Sequence, residues 1–257
     1  MIPVPQEFLS LLSFGLWHGV LVFLRVSALV SVLPAFGERA VPVRVKLGIA
    51  VAFALVIAPA VSMQPGPGGL LPLLAIGLAE IAIGLALGIG IRLFVLALQT
   101  AGSMAAQSTS LSQILGGAAV EPIPAMGYIL VVGGLALAVM AGLHVRAAEL
   151  LIFSYQVFPI GIPPSGHDVS AWGTKQVSNA FALAFMLAAP FVITSVLYNL
   201  TLGVINRAMP QLMVAFVGAP VITLGGMMLL LWCAPVMLAV WSDALVAFLH
   251  DPVNVAR

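Results

Sequence analysis

The sequence predicts an all-α integral membrane protein, with about six long, proline-kinked apolar helices arranged as hairpins. Of its 257 residues, 62% are hydrophobic and only 7% are charged, and the mean hydropathy is +1.21. A soluble domain carries about 25% charged residues, so lipid or other apolar protein must surround most of this chain. The apolar runs, such as 45–61 and 224–240, are continuous, whereas the strands of a membrane barrel alternate with period two. We therefore expect spanning helices, in which the backbone N–H and C=O groups are hydrogen-bonded within the segment.

Six apolar runs define the expected helices, and they cover residues 8–33, 45–61, 70–98, 126–143, 177–205 and 214–249. The first run is ~39 Å long as a helix, which is enough to cross a ~30 Å hydrocarbon core. The sequence Pro34-Ala-Phe-Gly37 ends it. The second run is short but adequate to span, and the loop Gln64-Pro-Gly-Pro-Gly-Gly69 follows it because proline and glycine interrupt helices.

The third run contains a face of small residues beside an acidic one. At helical spacing, Glu80, Gly84 and Gly88 share this face. Small residues allow another helix to approach closely. Packing within the chain and contact with another subunit explain the pattern equally well.

The fourth run is expected to end at His144 and Arg146. A shorter amphipathic stretch, 147–158, follows it and is too short to span alone. The linker after this stretch contains Pro163-Pro164, which excludes helix there.

The last two runs are interrupted by helix-bending residues. The fifth contains Pro190, and a polar connector with Arg207 and Pro210 separates it from the sixth. The sixth run is too long for one straight crossing, so the glycines and prolines within it are expected to bend or divide it: Gly218, Pro220, Gly225, Gly226 and Pro235. Pro210 and Pro220 are candidate helix-packing residues, as are the small residues of the third run. The whole chain, 1–257, is interpreted as one helical membrane unit.

No catalytic constellation is present in the sequence. The His-Glu-x-x-His spacing of metalloproteases is absent, and so is the Gly-x-Ser-x-Gly nucleophile motif. The four histidines are far apart, and one cysteine, Cys233, cannot form an internal disulfide. The net charge of +1 gives no reason to expect nucleic acid as a partner. We therefore expect no enzyme activity, no cofactor and no metal.

Charged residues within the apolar runs are candidates for a functional or structural role. Arg25, Glu80 and Arg92 each cost ~2.5–3.5 kcal/mol near the bilayer centre. They can form an ion or proton pathway, a buried pair such as Arg25 with Glu80, or a contact with a partner subunit. The structural alternatives are favoured because transporters usually carry more such groups. Arg92 can also snorkel from a helix end, and Arg207 is a further candidate buried charge or subunit contact.

A polar, uncharged segment interrupts the apolar pattern after the third run. It is too polar to face lipid and has too few charges for an ordinary solvated loop. Either it is a surface loop, or it lines or blocks a water-filled passage, where irregular polar backbone is tolerated. Its candidate residues are Gln107, Ser108, Thr109, Ser110, Ser112, Gln113, Gly116 and Gly117.

Three stretches resemble the FliR family of flagellar biosynthetic proteins, a family shared with the export-gate "T" component of virulence type III secretion systems. The first is Arg25 with Pro34-Ala-Phe-Gly37 and Val41-Pro42-Val43-Arg44. The second is Glu80-xxx-Gly84-xxx-Gly88, leading to Ala101-Gly102 and Gln107. The third is Gly203-xxx-Arg207-xx-Pro210-Gln211, followed by Gly218-x-Pro220. Their order and spacing match from about residue 8 to residue 240.

The resemblance implies a structural role in protein export rather than catalysis. Members assemble with FliP and FliQ into the core of the export gate at the flagellar basal body, in the bacterial inner membrane. The implied partners are FliP-like and FliQ-like subunits, other membrane proteins of the export apparatus, membrane lipid and the unfolded exported polypeptide. The resemblance also implies a FliP-like part at 1–170, a FliQ-like helical hairpin at 171–257, and a channel plug at 107–117.

Other functions are weighed beside the flagellar one. A virulence export gate would use the same kind of chain, although the quoted stretches are closer to the flagellar branch. A polytopic solute transporter would place Arg25, Glu80 and Arg92 in its path and show inverted repeats, and we find no internal symmetry. A membrane scaffold outside secretion would differ in its partners.

Overall fold

The computed structural model describes residues 6–38, 40–62, 69–109, 125–209 and 214–252. All regular structure within these ranges is helical, which confirms the expected all-α class. Seven α-helices lie in the described ranges, and in chain order they are α1 (Gln6–Val32), α2 (Val43–Ile57), α3 (Leu70–Thr109), α4 (Ala125–Met140), α5 (Leu143–Val157), α6 (Gly166–Ala208) and α7 (Val214–His250). A short 3-10 turn, Ala58–Ala60, continues α2.

Five of the helices in the described ranges are long and apolar enough to cross a membrane. Helices α4 and α5 pass the same test only as a pair, with a bend of 69° at the break between them. Counted as one broken span, the pair adds a sixth. The expectation of about six long apolar helices is therefore confirmed.

Helix α3 is longer than the sequence predicts, because it continues through the polar residues as far as Thr109. Alanine, methionine and glutamine favour helix in this stretch. The hydroxyl of Ser108 donates to the carbonyl of Ala105 at 2.7 Å, so a polar side chain is satisfied without leaving the helix.

The break between α4 and α5 lies earlier than expected. Gly142 adopts a left-handed conformation, with φ of 78°, and α5 begins at the next residue, Leu143. His144 and Arg146 therefore belong to the first turn of α5 and do not end α4. The left-handed conformation is unfavourable by roughly 1–2 kcal/mol for a residue that has a Cβ atom. Glycine has none, which explains why the chain turns at this residue.

Helix α6 begins eleven residues before the expected start at 177, at Gly166. Ser165 caps this end, since its hydroxyl accepts from the backbone N–H of Asp168 at 3.1 Å and donates to the Asp168 carboxylate at 2.6 Å. The helix then passes through Pro190 without ending. Helix α7 is likewise a single 37-residue helix, so the expected division of the last apolar run does not occur.

The chain forms two compact units. Unit 1 comprises Met1–Arg92, Val139–Gln176 and Ala247–Arg257, and unit 2 comprises Leu93–Ala138 and Val177–Val246. Buried residues of α1, among them Val26 and Leu29, lie in the core of unit 1, and Trp241 lies in the core of unit 2. Helix α6 runs through the boundary at 170/171, and the division into a FliP-like part and a FliQ-like hairpin stays a prediction.

Candidate functional site

The candidate site in unit 1 is centred on a fully buried arginine. Arg25 of α1 faces Glu80 of α3, and their side chains are 0% and 1% exposed. The arginine Nε donates to Glu80 Oε2 at 2.7 Å, and Nη2 donates to Oε1 at 3.1 Å. This bidentate arrangement is the strongest hydrogen-bonding geometry between an arginine and a carboxylate.

Helix α5 completes the surroundings of this arginine. Arg25 Nη1 donates to the hydroxyl oxygen of Ser154 at 3.1 Å, and Nη2 donates to the carbonyl of Phe158 at 2.9 Å. The ring of Tyr155 lies 3.8 Å from the guanidinium carbon, a cation–π contact. One side chain therefore connects α1, α3 and the end of α5.

Two glycines allow α3 to approach α1 at this point. A Cβ added at Gly84 would overlap the carbonyl oxygen of Arg25, and one added at Gly88 would overlap Val32 and approach the carbonyl oxygen of Leu29 to 3.1 Å. The small-residue face of α3 thus packs against a helix of its own chain. Because Glu80 lies one turn before Gly84, the close approach brings its carboxylate to the buried guanidinium.

The arrangement is suited to holding helices together. Both charges are buried and paired. The guanidinium is further stabilised by contacts with a hydroxyl, a carbonyl and an aromatic face. Removing one partner of such a pair costs about 3–5 kcal/mol, because the other charge is left buried and uncompensated. Within the described ranges, no group of three or more His, Cys, Asp or Glu residues could hold a metal ion.

The other two candidate charges are in different surroundings. Arg92 is 35% exposed, and its Nη1 lies 3.5 Å from Glu38 Oε1 and 3.4 Å from the carbonyl of Val32. A partly exposed ion pair of this kind contributes little to the stability of the protein. Arg207 is exposed in the last turn of α6.

The residues of the expected plug are described only in part. Gln107 is exposed and Ser108 is half-buried. These two and Thr109 lie at the end of α3, so the expected loop at 107–117 is wrong for its first three residues. The remaining plug candidates lie outside the described residues: Ser110, Ser112, Gln113, Gly116 and Gly117. Pro210 also lies outside them, and Pro220 is described only as part of α7.

The sequence did not predict that α5 contributes to this site. Ser154 and Tyr155 lie within an apolar stretch that was interpreted only as a short amphipathic segment. In a chain surrounded by lipid, uncharged polar residues in such a stretch need partners, and this signal could have pointed to them. His18, another polar residue of α1, is also buried: it is 4% exposed, and its Nε2 lies 2.9 Å from the carbonyl of Ala58.

Comparison with known proteins gives a family for this architecture. Residues 16–247 match the family described as bacterial export proteins, family 1. The flagellar biosynthetic protein FliR of Caulobacter vibrioides is 32% identical over 238 residues, which cover 90% of this chain and 94% of that protein. FliR of Escherichia coli is 31% identical over 234 residues, covering 90% and 88%. FliR of Bacillus subtilis is 26% identical over 226 residues, covering 86% and 87%. The chain, with its apolar helices and buried ion pair, therefore belongs to the FliR family of bacterial export proteins.

Proposed function

We propose that this chain is a structural, channel-forming subunit of the flagellar type III protein export gate, in the inner membrane at the basal body. It assembles with FliP-like and FliQ-like subunits, and the assembly passes unfolded flagellar polypeptides. The observation that carries the proposal is the family relation over residues 16–247, because the relatives are flagellar biosynthetic proteins. This relation also favours the flagellar over the virulence branch.

The lengths of the last two helices support a role within a larger assembly. Helix α6 has 43 residues and α7 has 37, which correspond to ~65 Å and ~56 Å, against a hydrocarbon core of ~30 Å. Within unit 2, large apolar side chains of both helices are exposed, as at Phe181, Phe185, Leu231 and Trp232. We infer that helices of partner subunits cover part of these faces.

The buried ion pair supports a structural role over solute transport. Ionisable groups in a transport path face a water-filled cavity or a substrate, whereas Arg25 and Glu80 are closed off by each other and by α5. A solute transporter also needs a binding site near the midplane between repeats. A scaffold that holds its helices in fixed positions needs only the closed pair.

Export of flagellar proteins tests the proposed function. In cells that lack this chain, we expect flagellar substrates to disappear from the culture medium and to accumulate inside the cell. The full chain should restore export, and so should a variant with Arg92→Leu, because that charge is partly exposed and weakly paired. Undiminished export in the absence of the chain, combined with loss of uptake of a small solute, would support the transporter instead.

The plug hypothesis makes a separate prediction about permeability. Trimming residues 110–116 should leave assembly intact but make the membrane leak small solutes, since a polar, uncharged segment is suited to closing a wet passage. Entry of a small membrane-impermeant dye into intact cells measures the leak. Removing part of the stretch at 64–69, which the sequence predicts to be a loop, is the control for shortening the chain. Unchanged permeability in an assembled gate would contradict the plug role.

A further inference from the structure

An apolar cavity of about 220 Å³ lies within unit 1, and Ser154 belongs both to its wall and to the surroundings of Arg25. Helices α3, α5 and α6 form the walls together with Pro252. Most of the lining side chains in the described ranges are aliphatic or aromatic, among them Ala86, Phe153, Val157 and Trp172. The cavity is therefore a gap in the apolar packing of this unit.

The polar groups in the lining already have partners. Among the described lining residues, three side chains carry a polar atom: Ser154, Asp168 and Trp172. The Ser154 hydroxyl accepts from Arg25 at 3.1 Å and donates to the carbonyl of Leu151 at 2.7 Å. The carboxylate of Asp168 accepts from the Ser165 hydroxyl at 2.6 Å, and the Trp172 indole donates to a backbone carbonyl. A water molecule needs several polar partners to enter such a space, whereas an apolar group needs none.

Pro252 brings the chain to the wall of this cavity. Helix α7 ends at His250, and Pro252, which follows shortly after, is buried. Its carbonyl accepts from the indole Nε1–H of Trp172 at 2.9 Å, and the centroid of the Trp172 ring lies 6.5 Å from that of Phe248. Since these contacts fix Pro252 in the lining, the residue that follows it must start at the cavity.

The residues that follow Pro252 have the composition that an apolar cavity requires. Their sequence is Val253-Asn-Val-Ala-Arg257, and they lie outside the described residues. An extended chain advances about 3.3 Å per residue and places alternate side chains on one side, so Val253 and Val255 can face the cavity together, within ~10 Å of Pro252. Asn254 would then point to the opposite side.

The volume of the cavity matches these two side chains. Two valine side chains together have as many carbon atoms as benzene, and an apolar cavity of about 150 Å³ in a protein core holds benzene. A cavity of about 220 Å³ therefore has room for both valines. The segment is also tethered to the wall, so its local concentration there is high, and no second molecule has to be recruited.

We propose that the segment 253–257 folds back over this cavity and inserts Val253 and Val255 into it. The segment then closes the gap between α3 and α5 and ties the end of α7 to both helices. Because Ser154 lies in the same wall, the inserted valines also support α5 where it contacts Arg25. This packing concerns the chain itself, and it does not depend on the export-gate function.

Thiol labelling tests the insertion. The single cysteine of the chain is first removed by Cys233→Ser, and one cysteine is then placed at 253, 254 or 255. The full chain is purified in mild detergent with the proteins it retains, and a water-soluble maleimide is added. We expect Val253→Cys and Val255→Cys to react about tenfold more slowly than Asn254→Cys, since a buried thiol reacts only when the segment opens.

Filling the cavity shows whether the protection depends on it. Ala86→Leu adds a side chain that occupies the space, and it should raise the labelling rates at 253 and 255 to the rate at 254. Ala75→Leu, at an exposed position of the same helix, is the matched control and should leave both valine positions protected.

A disulfide identifies the occupant. Under mild oxidation, Ala86→Cys should form a disulfide with Val253→Cys or Val255→Cys, and not with Asn254→Cys. These pairs decide the question even if Ala86→Leu fails to accumulate. Equal labelling at the three positions would overturn the proposal. So would protection at 253 and 255 without a disulfide to position 86, which would show that another molecule covers the segment.

Discussion

The guanidinium of Arg25 contacts residues of α3 and α5, and the sequence suggested only the contact with α3. Sequence alone could identify Arg25 and Glu80 as charges in apolar runs that need partners, and it raised their pairing as one alternative. It could not identify Ser154 or Phe158, because those contacts depend on the direction in which α5 returns after Gly142. A hydrogen bond to a backbone carbonyl, as at Phe158, leaves no mark on the identity of the residue that accepts it.

Substitutions in the ion pair should be strongly coupled. Arg25→Leu and Glu80→Leu should each destabilise the protein by about 3–5 kcal/mol, because each leaves one buried charge unpaired. The double variant should lose clearly less than the sum of the two. Melting temperatures of the purified protein, followed by fluorescence-detected size exclusion, measure this. Arg92→Leu is the control and should cost under about 1 kcal/mol. Additive losses at 25 and 80 would show that the two side chains do not act as a pair.

Gly84 of α3 should differ sharply from a glycine of another helix that has open space for a side chain. Gly84→Ala places a methyl group against the backbone of Arg25 and should cost about 1–3 kcal/mol through overpacking. Gly173→Ala, in α6, meets nothing within 4 Å and should gain up to about 1 kcal/mol from helix propensity. The same melting assay compares them. Equal effects of the two substitutions would contradict the close contact between α3 and α1.

At the scale of elements, the starts and ends of helices were harder to predict than their existence. Hydropathy located every long apolar run, but it could not show that α3 continues to Thr109. Serine and threonine hydroxyls can donate hydrogen bonds to backbone carbonyls of the preceding turn, so polar residues can continue a helix. It also could not show that α7 continues through its glycines and Pro235. The start of α6 was predictable in principle, since Pro163-Pro164 followed by Ser165 and Asp168 is a helix-starting pattern.

The break between α4 and α5 should depend on glycine at one position. Gly142→Ala should destabilise the protein by roughly 1–2 kcal/mol, because alanine is strained at the φ of 78° that the turn requires. Gly166→Ala is the matched control, since its φ is not positive and its added methyl group meets nothing within 4 Å. A Gly142→Ala variant that melts at the same temperature as the control would show that the 69° bend does not depend on this conformation.

At the scale of the whole molecule, composition was sufficient for the fold class and the quoted stretches were sufficient for the family. Few charges and continuous apolar runs leave helices in lipid as the only plausible arrangement. The division into two compact units was not predictable, because each unit gathers segments that are distant in the sequence. The plug remains a prediction, since most of its residues lie outside the part of the chain that the structure describes.

The central claim is that this chain works as one subunit of an export gate. The most direct test is to tag the chain in its native cell, extract it in mild detergent and identify the proteins that remain bound by mass spectrometry. An unrelated tagged membrane protein from the same cells is the control. The account predicts specific recovery of FliP-like and FliQ-like subunits. Recovery of the chain alone, or only of further copies of itself, would contradict the account and make the solute transporter the leading explanation.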